Sequence, residues 1–131
     1  MDVTKEILQL KTNCSQCSGL CCTALFFFKI DGFPKDKKAG QPCHNLLNDF
    51  RCKIHTQLEH KHLKGCIGYD CFGAGQHVTQ FIYQGQTYQD LPNQKNEIFD
   101  IFITVFQLFQ IRYYLLQALT IYAVSYTHLT L

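Results

Sequence analysis

A chain of 131 residues is long enough for one ordinary domain and too short for two. Its net charge of +2 comes from acids and bases interspersed along the sequence, with only 35–38 locally basic. That balance gives no electrostatic case for nucleic-acid binding.

Asp2 is placed to cap a short helix through about Lys11, with Val3, Ile7 and Leu10 on one face. The start MDVTKEILQLKTN carries charges at Asp2, Lys5, Glu6 and Lys11 and no apolar run, so it does not read as a secretory signal. A cytoplasmic location is the expectation, and in that compartment dense cysteines favour metal over structural disulfides.

The stretch CSQCSGLCC follows, with Cys14, Cys17, Cys21 and Cys22; four more thiols come at Cys43, Cys52, Cys66 and Cys71. Cys14-x2-Cys17 is a knuckle spacing that lets two thiolates face one ion. Adjacent side chains diverge, so Cys21 and Cys22 cannot easily chelate one ion in ideal geometry, and a disulfide between them would be strained. Eight thiols fit two four-cysteine sites, or one cluster with four spare thiols, and spacing does not decide the partition. A cysteine region of about 70 residues needs such staples to order itself.

Ala24 to Ile30, ALFFFKI, reads as a buried strand and Asp31-Gly32-Phe33-Pro34 as a turn. A helix is predicted around Thr56 to Leu63, with Gly65 as its stop. His77 to Tyr83 alternates and, with Gln84-Gly85 as turn and Thr87-Tyr88 returning, predicts a β-hairpin. Pro92-Asn93 opens a long helix to about Ala123. Its softer positions, Asp100, Thr104, Gln107, Gln110 or Ile111, Tyr114 and Gln117, recur every three or four residues. Asp100 and Arg112 interrupt it, and the charge-free run after Arg112 falls short of the roughly 20 apolar residues of a membrane span. A core helix, or one that packs on a protein partner, is the expectation.

Val124 to Leu131, VSYTHLTL, back-translates into what resembles a sequencing-transposon adapter read in frame. The segment, with His128, is set aside, and the native chain is expected to continue differently beyond Ala123. The predicted organisation is a metal-binding domain with hairpin over 1–90, a helix packed on it over 91–123, and an adapter-derived tail over 124–131. The predicted class is α+β.

The motifs CSQCSGLCC, GQPCHNL, FRCKIH and GCIGYDCFGAG together resemble the CxxCxxCC family of zinc- or iron-chelating proteins (YkgJ-type). All eight cysteine positions match in order, over about residues 14 to 75. Three residues, not two, precede the Cys pair here. A closer likeness continues through GAGQHVTQFIYQGQTY into the last helix, to bacterial proteins in which this region precedes pentapeptide repeats; no such repeat is present in this sequence. The resemblance implies metal binding, by zinc or an iron–sulfur cluster, with all eight cysteines as ligands and no assigned reaction.

Other candidates are weaker. His44 and His55 lie near cysteines in sequence, but eight thiols already fill two four-coordinate sites. FGAG at 72–75 lacks the Lys-Ser/Thr of a phosphate loop and reads as a turn beside the metal site. Asp49, Glu59 and Asp70 form no paired-carboxylate pattern, and no cysteine has an evident base and orienting partner for nucleophilic catalysis. An accessory metal-binding module is the leading expectation; an iron–sulfur redox protein or enzyme is the alternative.

Overall fold

The computed structural model describes residues 2–130, with side chains through 125. Asp2 accepts a hydrogen bond from the Lys5 amide and caps α1 (Val3–Gln9), as the sequence predicts. A 3₁₀ turn (Cys14–Gln16) leads to α2 (Leu20–Ala24), which starts at Gly19 in the left-handed region. After a long irregular stretch come α3 (Lys64–Ile67), α4 (Ala74–Gln76) running into a π-helical segment (His77–Ile82), and α5 (Lys95–Thr130).

The α+β class and the hairpin are overturned. Among the described residues there is no β-strand, only the isolated antiparallel bridges Phe27 with Lys37 and Leu46 with Cys52. The predicted strand at 24–30 fails because its apolar residues do not share a buried face. Phe27 is buried, but Phe26, Phe28 and Ile30 are exposed, and a 3₁₀ turn (Lys29–Asp31) bends the chain away after one bridge.

The hairpin fails for a different reason. Ala74, Gly75, Val78 and Thr79 are buried together, a helical stripe and not a two-residue alternation. The segment continues α4 without a break, and the Tyr83 amide donates to Val78 O five residues back. Gln84 and Gly85, expected as the hairpin turn, instead end the helix in left-handed conformations, the Gly85 amide donating to Thr79 O.

The helix expected around 56–63 is also corrected. Only a 3₁₀ turn (His55–Gln57) forms there, and Gly65, the predicted stop, lies inside α3. A close approach fixes this corner: a Cβ at Gly32 (φ +105°) would stand 2.1 Å from His62 O.

α5 is the platform. Ile98, Phe99 and Phe102 on it pack with Leu20 and Ala24 of α2, Ala74, Val78 and Tyr88, forming the main core. Further along, Leu116 meets Leu10 and Phe72, and Arg112 pairs with Glu6, so α1 lies against the same helix. A third, separate cluster of Phe27, Phe33 and Leu63 sits in the irregular region. The softer stripe from Asp100 to Tyr114 does face outward. Yet Leu108, Leu115, Leu119, Ile121 and Tyr122 are exposed as well. Residues 92–125 are, by length and composition, long and apolar enough to cross a membrane, with 17% of the most apolar window buried. α5 runs on through the segment set aside as adapter-derived; Val124 is exposed there, and the side chains of 126–131 lie outside the described residues.

Candidate metal centre

Two stretches of loop bring the thiols to one place. Residues 11–18 are clamped onto the start of α4 and its π-helical continuation. The Asn13 amide donates to Gln76 Oε1 at 2.8 Å, Gln76 Nε2 to Lys11 O at 2.8 Å, Gln80 Nε2 to Gln16 O at 3.0 Å, and the Ser18 amide to Thr79 Oγ1 at 3.2 Å. Cys14 and Cys17 are thereby held near Cys71. Cys71 itself precedes a tight turn in which Phe72 (φ +54°) and Gly73 (φ +83°) are both left-handed, closed by the Ala74 amide donating to Cys71 O at 3.0 Å. Asp70 Oδ1 receives the Phe72 amide at 2.8 Å and Thr12 Oγ1 at 2.7 Å, and Thr12 Oγ1 also lies 3.4 Å from Cys71 Sγ.

The second stretch is tied to α2. The Cys43 amide donates to Cys22 O at 2.8 Å, and the Asn45 amide reaches Cys43 Sγ at 3.4 Å. The Lys53 amide donates to Asn45 O at 2.7 Å, next to the Leu46–Cys52 bridge, which brings Cys52 alongside Cys43. Beneath this loop lies Lys37, 8% exposed, whose ammonium donates to Thr23 O, Leu25 O, Lys38 O and Gln41 O at 2.6–3.2 Å. It thus gathers the C-terminal carbonyls of α2 and the approach to Cys43.

All eight cysteines, free of disulfides, line a single cavity of about 610 Å³. Thr12, Arg51, His55, Tyr69, Asp70 and Phe102 share its wall. Of the two histidines weighed from sequence, His55 lines the cavity and His44 does not. Cys71 is buried, Cys14 exposed and the other six partly buried. The thiols surround this space without closing on a point: among the described residues no three His, Cys, Asp or Glu side chains converge as an ion site.

Electrostatics follow from crowding. Burial raises Cys14, Cys43 and Cys52 above the ordinary thiol value, and pushes Cys17 to about 11 and Cys66 to about 12. Cys21 and Cys22, with Sγ atoms 3.9 Å apart, share a hydrogen bond that raises Cys21 and lowers Cys22. Neighbouring thiolates raise most of the set further.

The donor set fits a thiophilic metal in two more respects. Gly75 leaves room for sulfur: a Cβ there would meet Cys17 Sγ at 2.5 Å. The hydroxyl of Tyr69, buried on the cavity wall, has no hydrogen-bond partner and so remains a free donor for a sulfur or a bound group. Lys37 and Tyr69 were not singled out by sequence spacing, and Gly75 was read only as part of a turn beside the site. FGAG proves to be more than a turn, since α4 begins at Ala74 within it.

Fold and site together define a helical, thiol-lined cavity protein. No family model matches the chain, and no solved structure matches it. It is similar to the uncharacterized protein YybG of Bacillus subtilis (strain 168), 43% identical over 112 residues, which is 86% of this chain. The chain spans 40% of that relative's length.

Proposed function

We propose that this chain is a thiolate metal-binding module of the CxxCxxCC kind, holding zinc or an iron–sulfur cluster through Cys14, Cys17, Cys21, Cys22, Cys43, Cys52, Cys66 and Cys71. The observation that carries the reading is that these eight thiols, drawn from α2, α3 and the segments between the helices, line one cavity. Soft thiolate ligands select zinc, copper(I) and iron–sulfur clusters over hard cations. A bound metal would supply a rigid crosslink between loops that have little regular structure of their own, and in the cluster form an electron-transfer centre. The protein's own part is to hold the sulfurs, gather the α2 end through Lys37 and offer the Tyr69 hydroxyl. The wider protein to which such a module belongs, in a cytoplasmic setting, remains part of the same proposal.

An iron–sulfur redox role is the second reading. Cys14 is exposed at the cavity, so a cluster held through it would be open to an electron partner. Metal content and the visible absorption spectrum of anaerobically purified protein separate the two. Zinc without visible absorbance supports the structural module; iron, sulfide and visible absorbance support the cluster. Purified chain carrying neither metal, and unable to take either up, would defeat both.

A further inference from the structure

We infer that the eight thiols form two separate four-sulfur centres, Cys14/Cys17/Cys21/Cys71 and Cys22/Cys43/Cys52/Cys66, with the adjacent pair Cys21–Cys22 as the seam between them. This rests on the metal-binding reading and goes beyond it, because neither spacing nor the resemblance assigns any thiol to a centre.

Packing carries the division first. Cys71, Cys17 and Cys21 belong to the main core on α5, whereas Cys43 and Cys66 pack on the separate cluster of Phe27, Phe33 and Leu63. Gly75 lies between two sulfurs of the first set: its missing Cβ would be 2.5 Å from Cys17 Sγ and 4.0 Å from Cys71 Sγ. Hydrogen bonding repeats the pattern. Loop 11–18 is fastened to 70–80 by Thr12, Asn13 and Gln76, and loop 43–53 to the Cys22 carbonyl by the Cys43 amide.

The 3.9 Å between Cys21 and Cys22 Sγ is near the edge of a tetrahedron of sulfurs about 2.3 Å from zinc, so distance alone would let them share an ion. Their other neighbours separate them. The two sets also differ in surroundings: Lys37 holds the Thr23 and Gln41 carbonyls, one residue beyond Cys22 and two before Cys43, while Thr12 links Asp70 to the Cys71 sulfur.

The test uses zinc(II) on the reduced full chain, counted by native mass spectrometry. Wild type is expected to hold two zinc ions. Double variants within one set, Cys14→Ser with Cys71→Ser or Cys52→Ser with Cys66→Ser, are each expected to keep one. The cross-set variant Cys71→Ser with Cys66→Ser is expected to keep none tightly. Because serine variants can unfold, wild type carrying one zinc is also alkylated and the four-fold labelled species mapped. Its four protected cysteines should be one of the two sets. A cross-set variant that retains one ion, or protected thiols drawn from both sets, overturns the partition while leaving metal binding intact. Wild type that binds no zinc and no iron overturns both readings.

Discussion

Gly75 faces Cys17 so closely that a β-carbon on the glycine would stand 2.5 Å from the cysteine sulfur. Gly75 lies within α4 and Cys17 in the clamped loop before α2, so the contact joins two elements far apart in sequence. The glycine is required for space, since its φ is not in the left-handed region. Gly75→Ala should therefore push Cys17 out of place, at a cost of about 1–3 kcal/mol from overpacking. Zinc titration of that variant should show one centre weakened and the other unchanged. Unaltered binding of both ions would mean that Cys17 Sγ does not need this position.

Lys37 answers a different requirement. Its ammonium serves four backbone carbonyls and stands near Cys22 and Cys43, so it stitches the end of α2 to the loop carrying the second set of thiols. Lys37→Met keeps much of the stem and removes the donors, which should destabilise the fold by roughly 2–3 kcal/mol. Urea unfolding measures the loss. Metal release during the same titration should begin at the Cys22/Cys43/Cys52/Cys66 set, and an unchanged midpoint would show that water replaces the ammonium without penalty.

Tyr69 packs its ring against Phe106, with centroids 5.2 Å apart, and leaves its buried hydroxyl unpaired. In Tyr69→Phe the packing survives and only the orphan donor is lost. Metal-free protein should be unchanged or slightly more stable, because a buried unpaired hydroxyl is unfavourable. Loaded protein should hold zinc more weakly at the Cys14/Cys17/Cys21/Cys71 set. Equal zinc affinity in the two proteins would leave the hydroxyl without a part in the site.

The ends of the chain were readable from sequence and its middle was not. Asp2 as cap and the long helix after Pro92 depend on local signals, a capping side chain and an extended apolar pattern, and both are present. Six alternating residues at 77–82 carry too little pattern to separate strand from helix, and continuity with α4 decides for helix. ALFFFKI has the composition of a strand, but only Phe27 finds a buried place and a bridging partner. The thiols as a group were legible because cysteine density is a compositional signal. Lys37 was hidden inside a basic stretch that reads as surface, since its acceptors Thr23 O and Leu25 O lie on α2 and just beyond it. Gly75 and Tyr69 gain their roles only from tertiary contacts.

α5 leaves Ile111, Leu115, Ile121 and Tyr122 more than half exposed, a larger apolar surface than an isolated helix face usually presents to water. The chain should self-associate with increasing concentration. Ile111→Lys with Leu115→Lys should lower that tendency in sedimentation velocity while leaving metal content as it was. A wild-type chain that stays monomeric at high concentration would contradict this account of the helix.

On the metal-binding proposal, metal orders the thiol-bearing segments, because residues 25–70 hold little regular structure beyond short turns and α3. Hydrogen exchange on the reduced chain, with metal loaded and then removed by a chelator, measures this directly. Amides across 35–70 are expected to lose protection on metal removal while those of α5 between Ile98 and Leu116 keep most of theirs. Unchanged protection across 35–70 after complete metal removal would show that the cavity holds itself together and contradict the claim.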